Sequence, residues 1–227
     1  MLTQDAIKQQ LGIYAADLIE AGMKIGLGTG STVYYLLREV GKRKKQGFDF
    51  TAVCTSVQTQ KILDEEGIPY LSLDDVDRLQ LTIDGADEVD VAGNLIKGGG
   101  GALLQEKIVA AASDQLAIII DEKKDVQTLG VFPLPVEVIT FGWKQAQHKI
   151  ESTYNIQTTL REKDRQTFIT DHKHFILDCY FKTIPDPKRL NTELHLIAGV
   201  VETGLFVGMA TQIIIGYADG SIRSRNV

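Results

Sequence analysis

The stretch "MKIGLGTGSTVYYLLREV", residues 23–40, decides the fold. Met23–Leu27 is a short apolar run of the kind that a buried strand shows, Gly28–Gly30 is a glycine turn, and the apolar spacing that follows predicts a helix over 31–41 capped by Ser31 or Thr32. A strand feeding a helix through a glycine turn is the opening unit of an α/β sheet. Upstream, Ile7, Leu11, Ala15, Leu18 and Ile19 mark one face of an amphipathic helix over residues 4–20. Downstream, "FTAVC" (50–54) reads as a buried strand, 57–66 as a helix ended by Gly67, and "IPYLSL" and "LQLTI" as further strands. "NLIK" is a short strand entering a glycine run, 102–113 a helix, and "LAIII" (116–120) another strand.

Strands alternating with helices imply parallel pairing through crossover connections, hence a doubly wound, Rossmann-like α/β domain. Such domains bind ligands beyond the carboxyl ends of their strands. The unusual segments fall there: Gly28–Thr32, Asp84–Asp90 and Lys97–Gly101. The texture changes at "GVFPLPVEVI", where Pro133 and Pro135 suit an extended boundary segment. Beyond it, a helix near 142–154, strands near 156–160, 166–170 and 174–180, a helix after Pro187 and a strand near 197–203 predict a small inserted α+β, ferredoxin-like domain. The expected division is therefore 1–131 with 204–227 for the α/β domain and 132–203 for the small one. "QIIIGYADGSIRSR" predicts a closing hairpin turning at Asp219-Gly220.

Bulk properties narrow the function. With 30 acidic against 24 basic residues the net charge is −6, so the surface as a whole gives no electrostatic footing for nucleic acid or an anionic membrane. An anionic substrate then needs a local basic pocket. No apolar run approaches the roughly 20 residues that cross a bilayer, and the N-terminus lacks a basic segment followed by an apolar one. Cys54 and Cys179 have no paired spacing, which suggests reduced thiols in a cytoplasmic protein.

Three segments can carry chemistry. "GLGTGST" offers backbone N–H groups and hydroxyls at a helix start, which suits a phosphate; the same residues also suit an ordinary capped turn. It is neither a P-loop nor a full G-x-G-x-x-G, since Val33 stands where the last glycine belongs. "DGADEVD" crowds Asp84, Asp87, Glu88 and Asp90 into seven positions. Repelling carboxylates require water, a cation or a task, and a solvated loop, a metal site and a catalytic role all remain open. Ala86 at the second ligand position breaks the EF-hand pattern. In "KGGGGALLQEK" the glycines permit close backbone approach to a ligand, Lys97 adds a cation, and Glu106 lies in the first turns of a helix. The alternative for Glu106 is a surface residue paired with a neighbouring lysine. Lys124, at the end of "IIIDEK", is either a surface lysine or a phosphate ligand. "KRKK" (42–45) reads as a solvated helix end, and no two histidines show H-x-x-x-H spacing, so no metal site built on histidines is expected.

Taken in order, "LTQDAIKQQ", "GLGTGST", "DGADEVD", "IKGGGGALLQEK", "DEKKDVQTLG", "FPLPVEV" and "GLF" resemble the type A ribose-5-phosphate isomerase family along nearly the whole chain. The resemblance implies an aldose–ketose isomerase that needs no cofactor, interconverting ribose 5-phosphate and ribulose 5-phosphate, and assembled as a homodimer or homotetramer. It puts Glu106 in the place of the general base and matches Asp84, Asp87 and Lys97 to conserved polar site residues. It matches Thr29, Gly30, Ser31, Thr32, the Asp84–Gly85–Ala86–Asp87 turn, Lys97, Gly98, Gly99, Gly100, Lys124 and Lys8 to substrate-binding positions. One departure is Thr211-Gln212, near which an acidic residue is expected. Two other readings compete: a non-catalytic sugar-phosphate sensor, and a metal-dependent enzyme using the Asp84–Asp90 carboxylates.

Overall fold

A computed structural model describes all 227 residues. In chain order the elements are α1 (Gln4–Ala16), β1 (Lys24–Leu27), α2 (Ser31–Lys45), β2 (Thr51–Cys54), α3 (Val57–Glu66), β3 (Tyr70–Leu71), β4 (Leu81–Gly85), β5 (Glu88–Val89), β6 (Leu95–Ile96), α4 (Leu103–Ala111), β7 (Leu116–Asp121), β8 (Leu134–Val138), α5 (Trp143–Tyr154), β9 (Thr158–Leu160), β10 (Glu162–Lys163), β11 (Gln166–Thr167), β12 (Phe175–Cys179), α6 (Pro187–His195), β13 (Val200–Thr203), β14 (Leu205–Phe206), β15 (Gln212–Gly216) and β16 (Ile222–Asn226). They form two compact units. The first comprises Met1–Ala86, Gln105–Asp125 and Met209–Val227, the second Asp87–Leu104 and Val126–Gly208.

The first unit is the expected doubly wound α/β sheet. Its strand order is β16-β15-β7-β4-β1-β2-β3, parallel throughout except for the β15–β16 hairpin. Both faces of the sheet are covered, as a parallel sheet requires. Ala52 and Cys54 of β2 point into a core with Leu11 of α1 and Leu36 of α2, while Val53 points the other way, toward Val109 of α4. Helices α1 and α2 cross closely because Gly12 has no side chain; a Cβ there would lie 2.6 Å from the Leu36 nitrogen.

Local details depart from the sequence expectations. Helix α2 runs on to Lys45, and its basic end is held by ion pairs of Arg43 with Asp17 and Lys45 with Glu66. Four cations in the last turn also suit the helix dipole. The expected Ser31 or Thr32 cap is replaced by Gly30, which makes no side-chain cap bond. The "IPYLSL" strand shortens to Tyr70–Leu71, because Ser72 accepts the Asp74 amide and starts a 3₁₀ turn. The 102–113 helix is confined to Leu103–Ala111. Thr211, where the family resemblance led to an expected acidic neighbour, has its hydroxyl on both backbone groups of Leu116 and so ties the start of β15 to β7.

The second unit carries an antiparallel sheet of order β13-β8-β12-β9 with α5 and α6, in the β-α-β-β-α-β sequence of ferredoxin-like folds. Its core gathers Leu134, Val136 and Val138 of β8 with Ile150 of α5, Leu177 of β12 and Leu194 of α6. A separate three-stranded sheet, β14-β6-β5, was not expected from sequence.

Glu137 alternates with those β8 residues and so lies on the opposite face of the strand, yet it too is buried. It sits on β8 at 1% exposure, with Oε1 accepting from the Thr170 hydroxyl and facing His174 Nδ1. Burial pushes its carboxyl above the usual range, against the opposing pull of Thr170 and His174. A raised pKa means that the folded state binds its proton more tightly. The resulting stabilisation is full below the ordinary glutamate pKa and is lost as pH rises through the raised value. Glu137→Gln abolishes that slope. In urea titrations from mildly acidic to neutral pH, the variant is expected to gain stability relative to the parent as pH rises. A constant difference between the two would refute this account of Glu137.

Candidate active site

In the first unit, the carboxyl ends of β1 and β4 lie side by side, with Leu27 in register with Ile83. The sheet order reverses between them, since β1 leads outward to β2 and β3 while β4 leads to β7 and β15. A crevice for ligands opens at such a switch point. Here Gly28 and Asp84 face each other. The Gly28 amide donates to Ile83 O at 3.0 Å. Asp84 is 1% exposed, and its Oδ1 accepts the amides of Thr29 (3.1 Å) and Gly85 (2.7 Å). The fit excludes any side chain at position 28, where a Cβ would sit 2.1 Å from Asp84 Oδ1 and 2.7 Å from its Cα.

Thr29 turns its hydroxyl inward, to Thr55 (2.9 Å), Ser56 (2.7 Å) and Thr59 (3.1 Å). Thr59 in turn donates to Gly28 O at 2.7 Å. This buried cluster of four hydroxyls pins the turn from beneath. None of Thr55, Ser56 and Thr59 belonged to the expected site; their only sequence signal was the run of hydroxyl residues closing β2. Beyond the pinned turn, Gly30 and Ser31 are exposed and Thr32 is buried. With no side chain capping α2, its first amides face outward at the positive end of the dipole, a geometry that suits an anion.

The same edge of the first unit holds Glu106. Its neighbour Gln105 donates to Cys54 O, at the carboxyl end of β2, at 3.0 Å. Glu106 is 4% exposed and lies in the first turn of α4. That excludes the surface-helix alternative. Lys124, in a 3₁₀ turn after β7, donates to Ala86 O at 2.6 Å. Lys8 is half-buried on α1, one turn beyond Gln4, whose amide reaches Asp121 at the end of β7.

The second unit resolves the crowding of "DGADEVD". Glu88 accepts the amides of Gly130 and Phe132, both at 2.6 Å. Asp90 closes the β5–β6 turn, with Oδ1 accepting from Ala92 and Asn94 amides and Oδ2 from the Asn94 side chain. These two carboxylates hold backbone in place. Asp87 Oδ2 accepts the Gly99 amide at 2.8 Å. Lys97 is 3% exposed, with its amide on Gly204 O and Nζ 5.4 Å from the Phe206 ring centroid, a cation–π contact that offsets part of its burial. Within the glycine run, Gly98 and Gly101 have φ of 101° and 84°, which only glycine adopts at little cost. Gly99 and Gly100 are exposed.

Known proteins match this chain along its length. The sequence model of ribose 5-phosphate isomerase A (phosphoriboisomerase A) matches residues 51–220. A ribose-5-phosphate isomerase A of Bacillus cereus is 56% identical over 215 residues, covering 94% of this chain and 97% of that one. The fold is similar to that of the ribose 5-phosphate isomerase of Plasmodium falciparum, at 36% identity and a TM-score of 0.96 over 99% of each chain. It is also similar to a D-ribose-5-phosphate isomerase in complex with phospho-erythronic acid, at 37% identity and 0.95 over the whole of both chains.

Proposed function

This chain belongs to the ribose 5-phosphate isomerase A family, and we propose on that premise that it interconverts D-ribose 5-phosphate and D-ribulose 5-phosphate through an enediolate, with Glu106 as the base. The observation that carries the assignment is a carboxylate almost wholly withdrawn from water in the first turn of a helix that follows a glycine loop. Partial exclusion of water is what lets a carboxylate act on a carbon acid.

The chemistry divides among the residues described. After the sugar ring opens, assisted by Asp84 or Asp87, Glu106 takes the proton from C2. The C2–H electron pair forms the C1–C2 double bond, and negative charge moves to O1. Lys97 and the amide of Gly100 supply donors for that charge. The O2 proton then passes to O1, the electron pair left on O2 forms the C2–O2 double bond, and the C1–C2 pair takes the proton back from Glu106 at C1, which leaves a ketone at C2 and a hydroxyl at C1. The phosphate engages the amides at Gly30–Thr32 with Lys124 and Lys8, and its binding energy positions the reacting carbons. The bound phospho-erythronic acid of the related structure is itself a sugar-acid phosphate, which supports this class of ligand.

No step requires a metal. Turnover of ribose 5-phosphate, followed by ketose formation, is expected to be unchanged after exhaustive EDTA treatment. Loss of turnover that divalent cations restore would favour the metal-dependent reading instead. We place the protein in the cytoplasm, which suits its two buried, unpaired thiols, and expect a homodimer or homotetramer, readable by light scattering. No helix is long and apolar enough to cross a membrane.

A further inference from the structure

Four consecutive glycines pose a problem that Lys97 and Glu106 do not solve. A glycine peptide rotates between orientations at small cost. A loop of them has no intrinsic reason to present N–H groups rather than carbonyls to a ligand. A single peptide flip would put a carbonyl oxygen where a donor is needed. The Gly101 amide closes the turn on Gly98 O at 3.0 Å, but the central Gly99–Gly100 peptide still has to be oriented from outside the loop.

In the second unit, Arg161 supplies such an influence. It follows β9, and its backbone is fixed at both ends, donating to Ile176 O at 2.8 Å and accepting the Phe168 amide at 2.9 Å. Its guanidinium grips Asp178 of β12 in a fork, Nε on Oδ2 at 3.0 Å and Nη2 on Oδ1. Both side chains are largely buried. Nη1 then reaches the carbonyl of Gly98 at 2.5 Å and that of Gly99 at 3.3 Å.

Every peptide here is trans, so carbonyl and N–H leave each peptide plane on opposite edges. Drawing the Gly98 carbonyl to Arg161 turns the Gly99 amide the other way, where it meets Asp87 Oδ2. Drawing the Gly99 carbonyl inward turns the Gly100 amide outward, on a residue with open space around it. The loop thus has a carbonyl edge facing a buried guanidinium, with the Gly99 amide on Asp87 and the Gly100 amide facing out.

We propose that Arg161, locked by Asp178, is a positioning residue for the isomerisation: with the Gly99 amide turned to Asp87, it sets the orientation of the Gly100 amide so that this serves as a donor to the substrate's developing oxyanion. This rests on the reading that the glycine loop serves the sugar phosphate. Arg161 touches no reacting atom and acts only through the loop. Its geometry also explains why arginine stands there. Lysine offers a single ammonium, which cannot hold the Asp178 fork and two carbonyls together.

The test compares Arg161→Ala and Arg161→Lys with the parent protein, reading kcat and KM for ribose 5-phosphate beside the thermal midpoint. Because the Gly100 amide acts on charge that develops during reaction, kcat is expected to fall by about 10²-fold, with KM held within about threefold. Millimolar guanidinium should restore part of the kcat of Arg161→Ala, which a merely structural ion pair would not explain. Both variants folded with kcat within about twofold of the parent, or a loss that guanidinium leaves untouched and that tracks the unfolded fraction, would overturn the proposal. If Arg161→Ala does not fold, Arg161→Lys decides by the same kcat criterion. Failure of the underlying reading looks different: the parent protein itself would not turn over ribose 5-phosphate.

Discussion

Glu106→Gln is expected to lower kcat for ribose 5-phosphate by about 10³-fold or more, the scale on which a positioned general base contributes, with the fold retained. Glutamine keeps the shape of the side chain and removes its basicity. The helix-dipole interaction given up at the start of α4 is only about 0.3–1 kcal/mol. Circular dichroism should therefore superimpose on that of the parent while turnover collapses. A folded variant retaining more than about a tenth of the parental kcat would remove Glu106 from the role of base.

Gly28→Ala is the second large effect, and it acts through structure. The added methyl would fall 2.1 Å from Asp84 Oδ1, 2.3 Å from Cγ and 2.7 Å from Cα. The last of these is backbone of β4, which is tied to Gly28 by the amide bond to Ile83 O. Relief requires the ends of β1 and β4 to part, and with them the Thr29 amide and the Asp84 carboxylate. Overpacking of this kind costs about 2–3 kcal/mol, read as a fall of roughly 4–12 °C in the midpoint. Activity should fall by about 10²-fold beyond that, because a displacement near 1 Å at the site is costly. An alanine variant with unaltered stability and turnover would mean that the tight pairing at the switch point is not needed.

Sequence and structure agree where local signals are strong. "MKIGLGTGSTVYYLLREV" reads as strand, turn and helix because apolar spacing and glycine act within a few residues, and that unit carries the doubly wound order with it. What stayed hidden depends on distant partners. Glu88 and Asp90 looked like candidates for chemistry until Gly130, Phe132 and Asn94 were seen to occupy them. The β14-β6-β5 sheet is built of two-residue strands, too short to show any period. Gly30 displaces Ser31 and Thr32 as the cap of α2, although the hydroxyl residues are the usual choice. Arg161 gave no signal, since its task depends on carbonyls more than sixty positions earlier.

The central claim is that Glu106 moves a proton between C2 and C1, and incubation with ribose 5-phosphate in D₂O, followed by NMR, tests it most directly. The account predicts deuterium at C1 of ribulose 5-phosphate with the parent protein and none above the uncatalysed background with Glu106→Gln. Deuterium entering the ketose at the parental rate in Glu106→Gln, or a parent protein that binds the sugar phosphate without incorporating any, would contradict it.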